Sequence, residues 1–357
     1  SPAAPLGLSS DTQTSTSITL SWSASVVSGG SAVTSYKVYR NDGSSAVAAL
    51  SSTAAAETAD GSTTTATLSD LSPGLLYSFA VSAVSAAGES PSTSTLVQYT
   101  APAAPTGLSS SGWTTSGFDV TWVAPAVGDG PAVTGYTLYE RVTYELGDVG
   151  SAGGVPDNVL QTMLTQSIDT VVVDTVAYDG SASTDLTTSL SGLSGGVSYD
   201  YVVAARSSAG EGDRSTALSV STSPPAPGSL ASVSQTTSSI TLSWSAPAVT
   251  TGSAVTGYKL YIDNGVTGSP STVVTCSGGA LDTTCTASGL DGGVSYSFEV
   301  SALSATGESD RSSLLAQSTA PAAVAGTMTF SSVTTTSMVL EWTAPSGATP
   351  TGYIVYR

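Results

Sequence analysis

No histidine occurs among the 357 residues, and only eight residues are basic, two of them lysines, Lys37 and Lys259. Without imidazole, Ser-His-Asp and Cys-His nucleophile systems and histidine-held metals are excluded within this sequence. Cysteine is nearly as scarce: Cys276 and Cys285 stand nine positions apart around Ser277-Gly278-Gly279. An isolated pair bracketing a hairpin-like turn reads as a local disulfide, and so as a sign of an oxidising, secreted location. Two buried thiols are the alternative, and zinc would need carboxylates to complete a tetrahedral site. No apolar run approaches the roughly 18 residues needed to span a bilayer, so direct membrane insertion is not expected. Helical periodicity is nearly absent too, because Gly, Pro, Ser and Thr interrupt every stretch long enough to carry it. The 26 acidic residues give a net charge of −18, which repels nucleic acid and anionic membrane surfaces. That charge reads as a solvated coat, with divalent-cation binding between neighbouring chains as the sharper alternative. No cofactor is expected, and Ca2+ is the one ion that the acidic excess would suit.

What abounds is serine and threonine, 66 and 52 residues, alternating with Val, Leu and Ile in a strand-like period. Ile18-Thr19-Leu20-Ser21-Trp22 is followed by Tyr36-Lys37-Val38-Tyr39. The pattern recurs as Phe118-Asp119-Val120-Thr121-Trp122 with Tyr136-Thr137-Leu138-Tyr139, and as Ile240-Thr241-Leu242-Ser243-Trp244 with Tyr258-Lys259-Leu260-Tyr261. A fourth copy opens at Met338-Val339-Leu340-Glu341-Trp342. A period near about one hundred residues means domain-sized beads, not a thin solenoid. A late run completes three of them: Leu71-Ser72-Pro73-Gly74-Leu75-Leu76-Tyr77, then Leu193-Ser194-Gly195-Gly196-Val197-Ser198-Tyr199 and Leu290-Asp291-Gly292-Gly293-Val294-Ser295-Tyr296.

A proline-led first strand, Trp on the second, Tyr-x-Val-Tyr on the third and Leu-x-Pro-x-x-x-Tyr before the sixth resemble the fibronectin type III module, over essentially the whole chain. The resemblance implies an all-β chain of tandem seven-stranded Greek-key sandwiches, with Trp22, Trp122, Trp244 and Trp342 buried between sheets and Tyr77, Tyr199 and Tyr296 forming tyrosine corners. The second and third beads depart from the pattern with glycine where the family prefers proline; the bend should survive. The domains would be 1–100, 101–223 with an insertion at about 145–185, 224–319 with the local disulfide, and an incomplete bead at 320–357. Short proline-bearing joints, such as Thr100-Ala101-Pro102 and Ser223-Pro224-Pro225, imply an extended, semi-rigid rod. The chain starts Ser1-Pro2 and stops inside a repeat, so it is expected to be a segment of a longer secreted protein. Either the rest of the fourth bead follows, or a neighbouring chain supplies the missing strands by edge pairing.

Chemistry is sparse. Acids fall in turn contexts, Asn41-Asp42-Gly43, Gly128-Asp129-Gly130, Asp263-Asn264-Gly265 and Asp291-Gly292-Gly293, where tolerance of positive φ is the reason for the residue type. No enzyme is expected. The second bead is the anomaly: Leu190 follows Tyr139 by 51 positions where Leu68 follows Tyr39 by 29. The extra segment carries two apolar runs, with Val159, Leu160, Met163 and Leu164 in one and Val171 and Val173 in the other, and reads as an added β-hairpin. It either covers its own sheet edge or contacts another subunit. Trp113 stands where Gln13 and Gln235 stand in the neighbouring beads; it packs on that insertion or anchors a partner or sugar ring. Asn-x-Ser/Thr sites are lacking, whereas exposed Ser/Thr tracts and Ala-Pro or Ser-Pro pairs could carry O-linked or hydroxyproline-linked glycans. The first functional reading is a non-catalytic extracellular structural rod, building a filament, hair, sheath or cell-surface layer through self-association or with other structural subunits. The second is an adhesin stalk, or a carbohydrate-binding or spacer array of a larger secreted protein.

Overall fold

The computed structural model describes residues 1–27, 29–41, 50–51, 54–126, 128–145, 155–166, 170–263, 269–276, 278–345 and 350–356. The first repeat comprises β1 (Leu6–Gln13), β2 (Ile18–Ser23), β3 (Val33–Arg40), β4 (Ala56–Glu57), β5 (Thr65–Leu68), β6 (Leu76–Ser85), β7 (Gly88–Glu89) and β8 (Leu96–Tyr99). Its two sheets run β1-β2-β5 and β4-β3-β6-β7, with β8 also on β6. The second repeat has β9 (Thr106–Ser111), β10 (Gly117–Val123), β11 (Gly135–Glu145), a helix α1 (Asp157–Gln166), β12 (Thr170–Gly180), β13 (Thr187–Ser191), β14 (Ser198–Ser207), β15 (Gly210–Arg214) and β16 (Leu218–Ser221). Its sheets are β13-β10-β9 and β12-β11-β14-β15, with β16 on β14. The third has β17 (Gly228–Gln235), β18 (Ser239–Ser245), β19 (Val255–Ile262), β20 (Thr272–Val274), β21 (Thr284–Ser288), β22 (Ser295–Ser304), β23 (Gly307–Glu308) and β24 (Leu315–Ser318), in the same two-sheet order. The strands β25 (Ala325–Val333) and β26 (Met338–Thr343) pair with each other in the fourth.

Since β7 and β8 lie on one neighbour, they are a single interrupted edge strand, and each of the first three repeats is a seven-stranded sandwich. The gap in that edge would leave buried N–H groups of β6 without ladder partners, a cost of about 1 to 3 kcal/mol each. Hydroxyls take the place of carbonyls there. Ser90 Oγ accepts from Ala83 N–H at 2.9 Å and Thr93 Oγ1 from Val81 N–H at 3.1 Å. Ser309 and Ser312 do the same for Ala302 and Val300 at 2.9 and 3.1 Å, and Ser215 for Val203 at 3.0 Å. Part of the Ser/Thr excess is therefore internal wiring.

By contact density the chain divides into two compact units, Ser1–Ser110 with Asp119–Ser189 and Tyr199–Val220, and Ser111–Phe118 with Leu190–Ser198 and Ser221–Arg357. In the first, Ile18, Leu20 and Trp22 of β2 meet Tyr36 and Val38 of β3 and Phe79 and Val81 of β6. Trp22 stands edge-on to Tyr36 with ring centroids 5.5 Å apart, and Trp122 lies tilted against Tyr136 at the same separation. Such pairs add about 0.5 to 1.5 kcal/mol to the burial itself. In the second unit Trp244 meets Tyr258 at 5.4 Å and Trp342 meets Tyr353 at 5.2 Å. Trp22, Trp122 and Trp244 are buried, Trp342 half-buried. Met338 is 59% exposed where its counterparts Ile18 and Ile240 are fully buried, because among the described residues β25 and β26 have no second sheet above them.

The tyrosine corners are visible as hydrogen bonds: Tyr77 Oη accepts from Ser72 N–H and Tyr296 Oη from Asp291 N–H, each at 2.9 Å. Tyr199 is half-buried at the same place, its ring 6.3 Å from that of Tyr201. The bend itself is carried by Gly74, Gly196 and Gly293 at φ 65, 68 and 73°, a conformation that L side chains resist. That glycine is common to all three, so exchanging Pro73 for Gly195 or Gly292 leaves the turn intact. A buried threonine closes each repeat. Thr100 Oγ1 donates to Ser72 O at 2.8 Å, Thr222 to Ser194 O at 2.7 Å and Thr319 to Asp291 O at 2.7 Å. Cys276 and Cys285 form a disulfide with Cα atoms 5.2 Å apart, joining the segment after β20 to β21 and so one sheet to the other.

Candidate interaction sites

The polar constellation that recurs in all three complete repeats is built on the glutamate of the Gly-Glu strand. In the first, Glu89 accepts from Tyr39 Oη at 2.6 Å, from Lys37 Nζ at 3.2 Å and from Ser82. The Ser82 and Tyr39 hydroxyls, and more weakly the Lys37 ammonium, hold its carboxyl below the ordinary range against the effect of burial. In the second, both carboxylate oxygens of Glu211 accept from Tyr139 Oη at 2.8 Å and Arg206 pairs with it at 2.6 Å. In the third, Glu308 takes Lys259 at 2.7 Å, Ser301 at 2.6 Å and the Tyr261 hydroxyl, while the Arg311 guanidinium lies 3.7 Å from the centre of the Tyr261 ring. Burial opposes its charge, but the Lys259, Ser301 and Tyr261 bonds outweigh that and pull the Glu308 carboxyl down to about 2.

Each carboxylate is committed to several donors, which leaves it poorly placed as a general base. Its role is to pin the edge strand to the sheet. The sign of the pH effect follows. A carboxyl whose folded value lies near 2 instead of 4.5 stabilises the fold above its unfolded value and loses that contribution as pH falls toward 2. Glu308→Gln should therefore lower the urea midpoint of the third repeat at about pH 6, with the difference from wild type shrinking by about pH 2.5. An equal difference at both pH values would refute the assignment.

In the second repeat β12 extends alongside β11, with Val142 opposite Val173 and Tyr144 opposite Val171, so these four share one face of the arm. The added-hairpin expectation is corrected in one respect: the first apolar run is not a strand but lies in α1. Val159-Leu160-Gln161-Thr162-Met163-Leu164 alternates two apolar residues with two polar ones, a spacing that follows the 3.6-residue period and not the two-residue one. Val159 and Met163 are buried and Gln161 is exposed, with the helix against β12; the side chains of Leu160 and Leu164 lie outside the described residues. Burial removes Val159 and Met163 from an exposed contact surface, and Val171 and Val173 are half-buried. Val172 and Val176, not singled out in the sequence, are the outward residues, 53% and 59% exposed.

The arm is fastened by Asp174, whose side chain is 4% exposed and receives Arg141 at 2.8 Å together with Arg214. The Arg141 bond, ahead of burial, sets the direction, holding the Asp174 carboxyl below its ordinary range. Trp113 lies in the turn between β9 and β10 and is 42% exposed. Asn41 and Asp263 are buried strand caps, each accepting from a backbone N–H, of Ser78 and Ser297, at 3.0 Å; Asp42, Gly43, Asn264, Gly265 and Ser277 lie outside the described residues. Among the described residues no group of three or more acidic, cysteine or histidine side chains could hold a metal ion, and no helix is long and apolar enough to cross a membrane.

The family model of the fibronectin type III domain matches residues 3–99, 103–221 and 224–318. The chain belongs to the fibronectin type III family. This fibronectin type III array is 34% identical over 221 residues to chitinase A1 of Niallia circulans, covering 59% of this chain and 25% of that protein. It is 28% identical over 279 residues to exoglucanase B of Cellulomonas fimi, covering 73% of this chain and 21% of that protein. The array thus spans a quarter or less of the length of these curated relatives. Among solved structures, a two-domain fibronectin type III segment of chicken tenascin is similar with a TM-score of 0.27 and 21% identity, covering 61% of this chain and 99% of that chain.

Proposed function

We propose that the chain is a non-catalytic spacer array within a larger secreted protein that works on an insoluble polysaccharide. The observation that carries this reading is the pair of partial matches: the same tandem repeats are similar to a minor part of a chitinase and of an exoglucanase. The tied-up Glu89, Glu211 and Glu308 agree with it, since carboxylates already holding several donors are poor acid-base groups. The Cys276–Cys285 bond agrees with an extracellular location. Filament building, by contrast, is supported by repetition alone.

The test uses the purified chain. Incubated with crystalline chitin and cellulose, it should release no reducing sugar, should stay in the supernatant, and should remain dispersed under negative-stain electron microscopy. Ordered filaments would overturn the spacer reading in favour of the structural one. Saturable polysaccharide binding that Trp113→Ala abolishes would replace it with a carbohydrate-binding role for that side chain.

A further inference from the structure

Two contacts in the chain occur twice in the same form, each time between one repeat and the next. In the first unit the fully buried Ser15, in the turn between β1 and β2, donates its hydroxyl to Asp213 at the end of β15 in the second repeat. In the second unit Thr115, at the equivalent turn, donates to Asp310 just past β23 in the third repeat. The partners are 198 and 195 positions apart in sequence, yet each pair joins the same two places of the repeat. Beside each lies a close approach of glycines. A Cβ on Gly130 would stand 2.2 Å from Gly74 O, and one on Gly252 2.5 Å from Gly196 C. At the second joint Gly252 N–H also donates to Gly196 O at 3.0 Å, and Ser198 N–H to Thr251 Oγ1 at 3.0 Å.

These residues are not needed by their own repeats. Neither Gly130 nor Gly252 has a positive φ, so its own backbone would accept alanine; what forbids a side chain is the preceding repeat. The aspartate is likewise dispensable to its own turn. Gly210-Glu211-Gly212-Asp213-Arg214 and Gly307-Glu308-Ser309-Asp310-Arg311 correspond to Gly88-Glu89-Ser90-Pro91-Ser92 in the first repeat, where the Gly-Glu pair meets β6 without an aspartate, as Gly307-Glu308 meets β22; β15 runs on to Arg214, which pairs with Ala204. The linker joins in: a Cβ on Gly212 would lie 2.1 Å from Pro102 O, and Ser223 Oγ donates to Thr306 O at 3.0 Å.

We propose that the turn after the first strand and the glycine bend before the sixth form a docking surface on the first and second repeats, and that the following repeat reads it with one aspartate and one side-chain-free loop glycine. The partner class is thus another repeat of this kind, and Asp213 and Asp310 are joint residues. Docking restrains neighbouring repeats beyond what a proline-bearing linker does, where relative motion is otherwise the default. This holds whatever the array separates.

Both cysteines are tied in the disulfide, so two new thiols can be labelled selectively. Spin labels at the exposed strand positions Thr67→Cys and Thr187→Cys in the full chain report the first joint by pulsed dipolar spectroscopy. The unaltered joint should give a narrow distance distribution. Gly130→Ala, Ser15→Ala and Asp213→Ala should each broaden it by at least about twofold, and Ser15→Ala with Asp213→Ala no more than either alone, as expected of one shared contact. Circular dichroism and tryptophan fluorescence should stay unchanged. A width unaffected by Ser15→Ala and Gly130→Ala would overturn the proposal, as would broadening by Asp213→Ala alone. Because Ser15 and Asp213 sit on different repeats, misfolding caused by one substitution leaves the other as the deciding measurement.

Discussion

Trp244→Ala should destabilise the third repeat by about 3 to 5 kcal/mol, the cost of removing a large aromatic from a packed core. Trp244 is buried, edge-on to Tyr258, and clustered with Ile240, Leu242, Phe298 and Val300. Its indole N–H has no hydrogen-bond partner among the described residues, and the same holds for Trp22 and Trp122. The side chain therefore acts through volume and ring contact alone. Trp244→Phe should lose much less than Trp244→Ala, because no hydrogen bond is broken. Urea unfolding followed by residue-resolved NMR checks both, and equal midpoints for the two variants would contradict the packing account.

Reducing the Cys276–Cys285 bond should cost the same repeat about 2.5 to 3 kcal/mol on the chain-entropy estimate for a loop of this size. The bond reaches from beyond β20 into β21, whose Cys285 is part of the core, so its loss loosens the join between two sheets. The urea midpoint of the third repeat should fall in reductant, with the first two repeats unaffected; a Cys276→Ala/Cys285→Ala pair should match the reduced protein. Both losses together approach the 5 to 15 kcal/mol that holds a typical domain folded. Reduced Trp244→Ala should then have an unfolded third repeat without denaturant, and a persisting native spectrum would show that the two contributions do not add.

Much of this architecture is legible in the sequence because its determinants are large and periodic. The Trp and Tyr positions, the Leu-x5-Tyr corner and the paired cysteines each depend on a residue type that few others can replace. The helix α1 was harder to see: six residues hold less than two turns, and an apolar run that short fits either period until the polar pair Gln161-Thr162 is weighed. The buried hydroxyls of Ser90, Thr100, Thr222 and Thr319 were hidden for another reason. In a chain one-third Ser and Thr by composition, nothing local separates a hydroxyl replacing a carbonyl from one facing water. Asp213 and Asp310 carried a detectable signal, their shared place after Gly-Glu, but comparison of turns cannot reveal that the acceptor serves a different repeat.

The absence of room at Gly130 bears on how such a chain can be lengthened or rearranged. A recombination break placed in the linker, at Pro102 for instance, would set the second repeat's glycine and aspartate beside another repeat, and the joint would survive only where that neighbour presents the same hydroxyl and glycine bend. A break anywhere between Ser15 and Asp213, which stand 198 positions apart, parts the two halves of that hydrogen bond. What can be moved with the first joint intact is therefore a pair of adjacent repeats, longer than the single folded domain.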